Sequence, residues 1–314
     1  MGKVQSKYNR NRSQSCTTPT RDHEYCGKRK YSISYALPLN NNEVDRLTSQ
    51  HYIFNNIWGG DFSSPVHRLL ECGGAKVLDV GCGPGVFVLE MANRYPMTSF
   101  TGVDIADAYP HFIKPENTSF KRANITGGLP FADNSFDFVY MRFMMFALVI
   151  KEWPFIINEL ARVCKPGGWI EVMERDIYWY NEGERTNKWR TKVVEGLRNE
   201  KGIELSICSH IPGFFKANEQ LTNFSSDERI QPLGSWAGPI GKFSLQNEFF
   251  LISLKCKAYA QTIMWGAKNL SQAISTISFE EGEYEKLVEI AMEELDKNKA
   301  FDKSHRFWAM KKPL

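Results

Sequence analysis

The sequence lacks long apolar runs and a strong excess of either charge. Its longest uninterrupted apolar run, Phe143 to Ile150, is far shorter than the roughly 20 residues that a helix needs to cross a bilayer. We therefore expect no transmembrane segment. The formal net charge is only +3 in 314 residues, so the chain as a whole offers no broad basic field of the kind that drives nucleic-acid binding. We expect no nucleic-acid partner.

Paired cysteine motifs are also missing. The seven cysteines are odd in number, none belongs to a Cys-x-x-Cys pair, and we recognise no secretory signal peptide before them. We interpret them as reduced thiols of a cytoplasmic or nuclear protein, and not as zinc ligands or a disulfide framework. They are Cys16, Cys26, Cys72, Cys82, Cys164, Cys208 and Cys256.

Residues 1–40 are rich in Ser, Thr, Asn, Lys and Arg and poor in aliphatic side chains. Such a segment cannot bury enough apolar surface to offset the entropy of ordering, so we expect a flexible basic tail. Its start, Met1 to Ser6, fits the N-myristoylation pattern with Gly2 as the acylated residue. An acyl chain next to basic residues would hold the protein at a membrane surface; the alternative is a basic leader without acylation. We expect a cytoplasmic protein, membrane-associated if Gly2 is acylated, and the nucleus stays open as a location.

Short apolar strands alternate with helices from residue 76 onward. This pattern is typical of a parallel sheet covered on both faces, so we predict a doubly wound α/β core. The predicted strands are Lys76–Val80, Ser99–Asp104, Ser119–Ala123, Phe136–Met141, Trp169–Met173, Glu228–Pro232 and His305–Met310. The predicted helices are Asn42–Ile57, Pro65–Leu70, Gly85–Arg94, Trp153–Cys164 (stopped by a turn at Lys165–Gly168), Lys188–Glu200, Phe215–Gln220, Phe249–Gly266 and Tyr284–Lys297.

A glycine-rich turn follows the first predicted strand. Gly81, Cys82, Gly83 and Gly85 come directly after Asp79 and its strand. Glycines at such a turn let a ligand lie against the backbone and let the next helix begin close to the strand. The dinucleotide pattern Gly-x-Gly-x-x-Gly would need glycine at position 86, which is Val86. A carboxylate beside the turn favours a ligand with an ammonium group, because it would repel a pyrophosphate.

Further candidate ligand contacts lie at the ends of the next strands. Asp104 ends the second strand, where a carboxylate can accept hydrogen bonds from both ribose hydroxyls, and Ile105 would then touch an adenine face. Asn124 and Ile125 end the third strand and would give the adenine an amide partner and an apolar wall. Met141, after the fourth strand, would lie beneath a sulfonium. Each of these residues taken singly also fits a cap, a turn or a core position.

As a set, these residues resemble the class I S-adenosylmethionine-dependent methyltransferases. Asp79–Gly85 is similar to the first motif of that family, Asp104 to its ribose-binding acid, Asn124–Ile125 to its adenine pair, and Leu160–Gly168 to the helix and turn before its fifth strand. The resemblance covers about residues 76–174. It implies S-adenosylmethionine as the cofactor and a Rossmann-like sheet of seven strands, mostly parallel, with the last strand antiparallel.

The resemblance also implies a division of the chain. Residues 41–314 would form one methyltransferase domain, with leading helices at 41–75, the cofactor-binding core at 76–174, and a lid and sheet-completing segment at 175–314. The stretch from Asp45 to His51, followed by Trp58-Gly59, is similar to the first helix of fungal regulatory methyltransferases associated with secondary metabolism.

We therefore expect an enzyme that methylates a small molecule or a protein side chain. Nucleic-acid bases are disfavoured as acceptors, because the fourth strand ends in Tyr140–Phe143 in place of the Asn/Asp-Pro-Pro-Tyr/Phe motif, and no Pro-Cys pair supplies a nucleophile. Two alternatives stay open: a nicotinamide-dependent oxidoreductase, which Val86 and Asp79 disfavour, and a regulatory binding module that keeps the fold and methylates nothing.

A general base is optional for methyl transfer, because an amine or thiolate acceptor needs none once it is deprotonated. Glu174 is the best placed candidate, since we expect it to follow the fifth strand at the ligand-binding edge. We assign a catalytic role to none of the candidates, which are His51, His67, Glu174, Asp176 and His210.

Overall fold

The structure, a computed structural model, describes residues 41–248 and 283–314. The basic tail, Gly2 and the helix predicted at Phe249–Gly266 lie outside the described residues. Within the described part, no helix combines the length and apolarity needed to cross a bilayer.

Seven strands of the described residues form one mixed sheet in the order β3-β2-β1-β4-β5-β7-β6. The first five run parallel, whereas β7 lies antiparallel to both β5 and β6. This confirms the predicted Rossmann-like sheet with an antiparallel last strand. The strands are β1 (Lys76–Val80), β2 (Ser99–Asp104), β3 (Thr118–Arg122), β4 (Phe136–Arg142), β5 (Cys164–Arg175), β6 (Leu221–Pro232) and β7 (Phe301–Lys311).

Helices cover both faces of the sheet, because successive strand residues point to opposite sides. On one face, Leu78 and Val80 pack with α4 and α6; on the other, Val77 packs with α2 and α3. The helices are α1 (Asn41–Trp58), α2 (His67–Cys72), α3 (Val86–Arg94), α4 (Trp153–Val163), α5 (Glu184–Gly196), α6 (Ile211–Ala217), α7 (Gly238–Glu248) and α8 (Glu283–Lys297).

The C-terminal strands and helices build a smaller core of their own. Trp179, Leu233 and Leu245 pack there against Leu295 of α8 and Ala300. α7 also contacts α1, where the Asn247 side-chain amide donates to the Arg46 carbonyl at 3.1 Å. The segment after β5 therefore completes the sheet and contacts the first helix.

Several boundary predictions are wrong. The helix predicted at Lys188–Glu200 is α5, which begins four residues earlier, and β5 and β7 extend beyond both of their predicted ends. The turn expected at Lys165–Gly168 lies within β5. Cys164 pairs with Phe136 of β4 and Trp169 pairs with Phe138, so the four residues between Cys164 and Trp169 form a bulge in the strand. The helix expected at Phe215–Gln220 is α6, four residues earlier. β6 is longer than predicted. Most of its residues are exposed and polar, so they lack the alternation of apolar and polar residues by which a strand is recognised in a sequence.

Candidate functional site

The glycine turn joins β1 to α3 in a left-handed backbone conformation. Gly81, Gly83 and Gly85 have φ angles of 71°, 52° and 79°, which a residue with a β-carbon adopts only at a cost. Val86 is the first residue of α3 and Gly85 is its N-cap, so Pro84 lies directly before the helix cap. The N–H groups of Gly81 and Cys82 both donate to the Val103 carbonyl, at 2.8 and 3.1 Å.

Side chains pack closely against two of these glycines. A β-carbon on Gly81 would overlap the thioether sulfur of Met144, and one on Gly85 would lie 2.8 Å from the Phe120 ring. The Phe120 ring stacks on Tyr109, with ring centroids 4.7 Å apart and an angle of 8° between the planes. The turn therefore has no room for larger residues at these two positions.

Asp104 lies at the end of β2, where the sequence places the ribose acid. Its Oδ2 accepts the Gly83 N–H at 2.8 Å and its Oδ1 accepts the Ala106 N–H at 2.7 Å. Burial raises the pKa of Asp104, and these N–H donors oppose the shift. Each carboxylate oxygen has a second lone pair, so the arrangement is compatible with hydroxyl donors as well as with the turn.

Asp79 is buried one strand away and is electrostatically coupled to Asp104. Its side chain is 2% exposed, and its Oδ1 has no hydrogen-bond partner among the described residues. Burial raises its pKa to about 7, with Arg142 opposing the shift and Asp104 adding to it. A buried carboxylate without a full set of partners is costly. A cationic group of a ligand would relieve that cost by restoring the charged form.

The predicted adenine partners lie further along the same edge. Ile105 is half-buried, and its carbonyl accepts the Arg122 Nε at 3.0 Å. Asn124 is exposed, and its Oδ1 caps a short 3₁₀ turn by accepting the Thr126 N–H at 3.1 Å. Ile125 is buried in the main core. Their contact with an adenine stays a prediction.

Met141 lies within its strand and not after it, and its contact with a sulfonium stays a prediction. β4 extends through Arg142, so Met141 lies inside the strand, and its side chain is fully buried in the main core. The residue that reaches the glycine turn is Met144, in the segment after β4. Sequence reasoning missed it because the run Phe143–Ile150 shows only apolar residues and no periodic pattern. The one indication in the sequence was the position of Met144, which comes directly after a strand that ends beside β1.

A hydrogen-bonded chain links α1 to this part of the sheet. Arg142 Nη2 donates to His51 Nδ1 at 2.8 Å, and His51 Nε2 lies 2.7 Å from Glu90 Oε2. Because Nδ1 accepts from a guanidinium, Nε2 carries the proton and donates to Glu90. Burial lowers the pKa of His51, and Arg142 adds to the shift. On the same helix, Leu47 lies 3.5 Å from the position of a β-carbon on Gly83.

Glu174 lies inside β5, not after it, and is fully buried. Its Oε1 accepts the Met144 N–H, whereas its Oε2 has no hydrogen-bond partner among the described residues. Burial raises the pKa of Glu174 to about 8, so the carboxyl is largely protonated at neutral pH. Its hydrogen bond from the Met144 N–H holds the segment that carries Met144.

The other candidate bases have separate surroundings. His67 is exposed and lies 3.3 Å from the Tyr95 hydroxyl. His210 is exposed and stacks on Phe214. Asp176 accepts the Cys208 N–H at 3.0 Å. These contacts do not connect the three residues to the glycine turn.

Comparison with known protein families finds a match over the residues that form this edge. Residues 77–168 match the family described as "Methyltransferase domain". This range contains the glycine turn, Asp104 and the pair Asn124–Ile125.

Three curated relatives are fungal proteins. The chain is 26% identical to the "Secondary metabolism regulator laeA" of Coprinopsis cinerea, over 63% of this chain and 53% of the relative. It is 30% identical to "Methyltransferase pytC" of Aspergillus terreus, over 54% of this chain and 52% of the relative. It is 33% identical to "N-methyltransferase tcpN" of Claviceps purpurea, over 45% of this chain and 52% of the relative. The chain thus spans about half the length of these relatives.

Proposed function

We propose that this chain, which carries a class I S-adenosylmethionine-dependent methyltransferase domain, binds S-adenosylmethionine at its glycine turn and transfers the methyl group to a small molecule or a protein side chain. The observation that carries the proposal is the pair of carboxylates at neighbouring strand ends. Asp79 pairs with Gly102 across β1 and β2, and Asp104 holds the Gly83 N–H of the intervening turn.

The described residues fit this cofactor by charge and by shape. The buried Asp79 oxygen without a partner suits the ammonium group of the amino-acid part. Asp104 suits the two ribose hydroxyls. Of the three left-handed glycines, Gly83 leaves the most room beside the backbone for a nucleoside, since the nearest side chain, Leu47, lies 3.5 Å from the position of its β-carbon. All three features lie at the carboxyl ends of parallel strands, where ligands bind in doubly wound sheets.

The chain's own residues have mainly a positioning task. The bound cofactor supplies an electrophilic methyl group on a sulfonium. Glu174 anchors the backbone of Met144, and the Met144 side chain covers Gly81. In this way the turn, the segment after β4 and the end of β5 are held together. Alignment and exclusion of water are the main sources of rate in such an in-line transfer.

The state of Glu174 favours an acceptor that needs no general base. Burial raises the pKa of this carboxyl to about 8, and its Oε1 already accepts the Met144 N–H, so it is less available to take a proton from a hydroxyl. An amine that arrives in its neutral form needs no such help. The relative from Claviceps purpurea is named an N-methyltransferase, which supports an amine on a small molecule or a protein as the acceptor.

A regulatory module without turnover is the second candidate. It is favoured by the relative named a secondary metabolism regulator, which matches the largest share of this chain among the three compared. The two candidates predict the same cofactor binding and differ in product. Transfer of a labelled methyl group from S-adenosylmethionine to any acceptor in a cell extract supports the enzyme, whereas binding without transfer supports the module.

Peripheral membrane attachment is a separate proposal about the N-terminus. It is supported by Gly2 in a myristoylation pattern beside the basic residues of 1–40. Mass spectrometry of the expressed chain tests it. A myristoylated Gly2 supports attachment, and an unmodified N-terminus in a cell that acylates other proteins contradicts it.

Calorimetric titration tests cofactor binding. We expect wild type to bind S-adenosylmethionine and S-adenosylhomocysteine, and Asp104→Ala to bind at least about tenfold more weakly, because it loses charge-assisted hydrogen bonds worth about 1.5–3 kcal/mol. Asp107→Ala is the matched control, since Asp107 pairs with His111 at 2.9 Å. Equal affinity of Asp104→Ala and wild type contradicts the ribose assignment. Binding of a reduced nicotinamide cofactor alone would revive the oxidoreductase.

A further inference from the structure

Three side chains of metal-ligand type meet near the end of β5, outside the glycine turn. Asp176 follows β5, Cys208 lies in the short 3₁₀ turn Ile207–Ser209, and His305 lies in β7. Each offers one ligand atom, and the three atoms lie within 4.8 Å of one another. Three separate segments of the chain therefore bring a carboxylate, a thiol and an imidazole to one point.

The surroundings of this cluster are rich in carboxyl groups and partly closed to solvent. Cys208 is buried, and Asp176 and His305 are half-buried. Glu228 Oε2 lies 3.8 Å from His305 Nδ1. Glu174 pairs with His305 across the β5–β7 ladder, so the two side chains leave the sheet on the same face. Glu174 is fully buried, and its Oε2 has no hydrogen-bond partner in residues 41–248 and 283–314.

Arg175 acts electrostatically on Cys208 and Lys303 on His305, but both cations form their salt bridges with carboxylates outside the cluster. Neither Asp176 nor Cys208 forms a salt bridge with a lysine or arginine in the described part of the chain. Asp176 accepts the main-chain N–H of Cys208 at 3.0 Å and also the hydrogen of the Cys208 thiol, which metal coordination would replace.

A second group of similar composition shows the contrast. His51, Asp61 and Glu90 also lie close enough to hold an ion. There, however, Arg142 donates to His51, and Arg94 forms a salt bridge with Asp61. Two guanidinium groups thus supply the positive charge, and a metal ion would have to displace them. The cluster at Asp176 has no such occupant among the described residues.

We propose that Asp176, Cys208 and His305 bind a divalent transition metal ion of the zinc type. A thiolate, an imidazole and a carboxylate are the donor set that Zn²⁺ takes in four-coordinate sites, and three protein ligands leave one position open to water. On binding, the Cys208 thiol gives its proton to solvent and coordinates as thiolate. Glu228 Oε2 lies 3.8 Å from His305 Nδ1, too far for a hydrogen bond, and adds negative charge beside the ring. The site gives Cys208 a role that the spacing of the cysteines did not indicate.

The metal ion itself is the probe that tests the proposal. Full-length protein, reduced and stripped with a chelator, is titrated with Zn²⁺ and separately with Co²⁺. We expect one tight equivalent of metal per chain, and with Co²⁺ an absorption band from sulfur-to-metal charge transfer. Cys208→Ser and His305→Gln should bind at least about tenfold more weakly and should reduce or abolish that band. Cys72→Ser and His210→Gln are the controls, because both residues are exposed and lie outside the cluster.

Thermal unfolding separates loss of the site from loss of the fold. Zn²⁺ should raise the Tm of wild type and both controls, because a ligand that binds only the folded state stabilises it. The Tm of metal-free Cys208→Ser should stay near that of metal-free wild type and should not respond to Zn²⁺. The proposal is overturned if Cys208→Ser binds metal as tightly as wild type, or if wild-type protein shows no cobalt–thiolate band. Absence of the cobalt–thiolate band would mean that the Cys208 thiol packs beside Asp176 and binds no metal. Neither readout depends on S-adenosylmethionine, so cofactor binding succeeds or fails independently.

Discussion

The thioether sulfur of Met144 lies where a β-carbon of Gly81 would be. Gly81 also has a φ of 71°, so Gly81→Ala meets both a backbone penalty of about 1–3 kcal/mol and a steric overlap. We expect this variant to lower the Tm and to weaken S-adenosylmethionine binding at least about tenfold. Calorimetry and thermal unfolding measure both effects.

Gly59→Ala is the matched control for that variant. Gly59 has a φ of 63°, and a β-carbon there would meet no atom within 4 Å, so it carries the backbone penalty alone. In the double variant Gly81→Ala, Met144→Ala the overlap is removed, and part of the affinity should return. If Gly81→Ala behaves like Gly59→Ala, Met144 does not set the shape of the turn.

The charge of Asp79 should make cofactor binding depend on pH. Its pKa of about 7 in the folded protein means that raising the pH through 7 ionises the group and should strengthen its attraction for an ammonium. We expect the affinity of wild type for S-adenosylmethionine to rise between about pH 6 and 8. Asp79→Asn should bind weakly and show a flatter profile over the same range. If the affinity of Asp79→Asn depends on pH as steeply as that of wild type, ionisation of Asp79 is not the cause of the pH dependence.

The same group should oppose folding at high pH. The pKa of Asp79 rises from 3.8 to about 7 on folding, so the folded state binds more protons between these values and its stability falls as the pH increases. Asp79→Asn cannot ionise. We expect the variant without cofactor to have a higher Tm than wild type at pH 8 and a similar Tm near pH 4. A lower Tm at pH 8 would show that the ionised carboxylate stabilises the fold.

The sheet and the glycine turn could be predicted because their signals are local. β1 and β2 were predicted to the residue, since each is a short run that a turn or a glycine ends. Asp79 and Asp104 then followed from the rule that parallel strands present their carboxyl ends at one edge.

The parts that were missed depend on contacts between distant segments. Nothing near Glu174 in the sequence shows that β5 continues past it or that its carboxyl binds the Met144 N–H. His305 lies in β7, and only the antiparallel pairing of β5 with β7 brings it beside Asp176. β6 was mostly missed for another reason: its polar residues carry no hydrophobic alternation.

His51 should make the attachment of α1 sensitive to acid. Its pKa is lowered in the folded protein, so the neutral form is favoured there, and stability present above about pH 6.5 is lost as the pH falls. Protonated Nδ1 can no longer accept from Arg142. We expect His51→Gln to flatten the fall of the Tm between about pH 6.5 and 5, and His210→Gln, at an exposed site, to leave it unchanged. If both variants keep the wild-type slope, His51 is not the responsible group.

Arg175 at the end of β5 holds two buried carboxylates from other elements. It forms salt bridges with Glu248 of α7 and with Asp302 of β7, at 3.1 Å for the latter, and its side chain is only 5% exposed. Removing one partner of such a group leaves buried charge without compensation, which costs about 3–5 kcal/mol. We therefore expect Arg175→Met to lower the free energy of unfolding by that amount, as measured by urea denaturation.

The loss of stability in Arg175→Met should depend on pH and should be partly reversed by a second substitution. Burial raises the pKa of Asp302, and Arg175 opposes the shift, so without the guanidinium Asp302 should retain its proton to higher pH. The deficit of Arg175→Met should therefore shrink in acid, where Asp302 is neutral. Glu248→Gln added to Arg175→Met should recover part of the loss at neutral pH.

Arg229→Met is the control: Arg229 pairs with Asp227 and is 45% exposed, so its loss should stay below about 1 kcal/mol. Equal losses for Arg175→Met and Arg229→Met would mean that the buried charges are solvated by other means, and that the attachment of α7 to the sheet does not depend on Arg175.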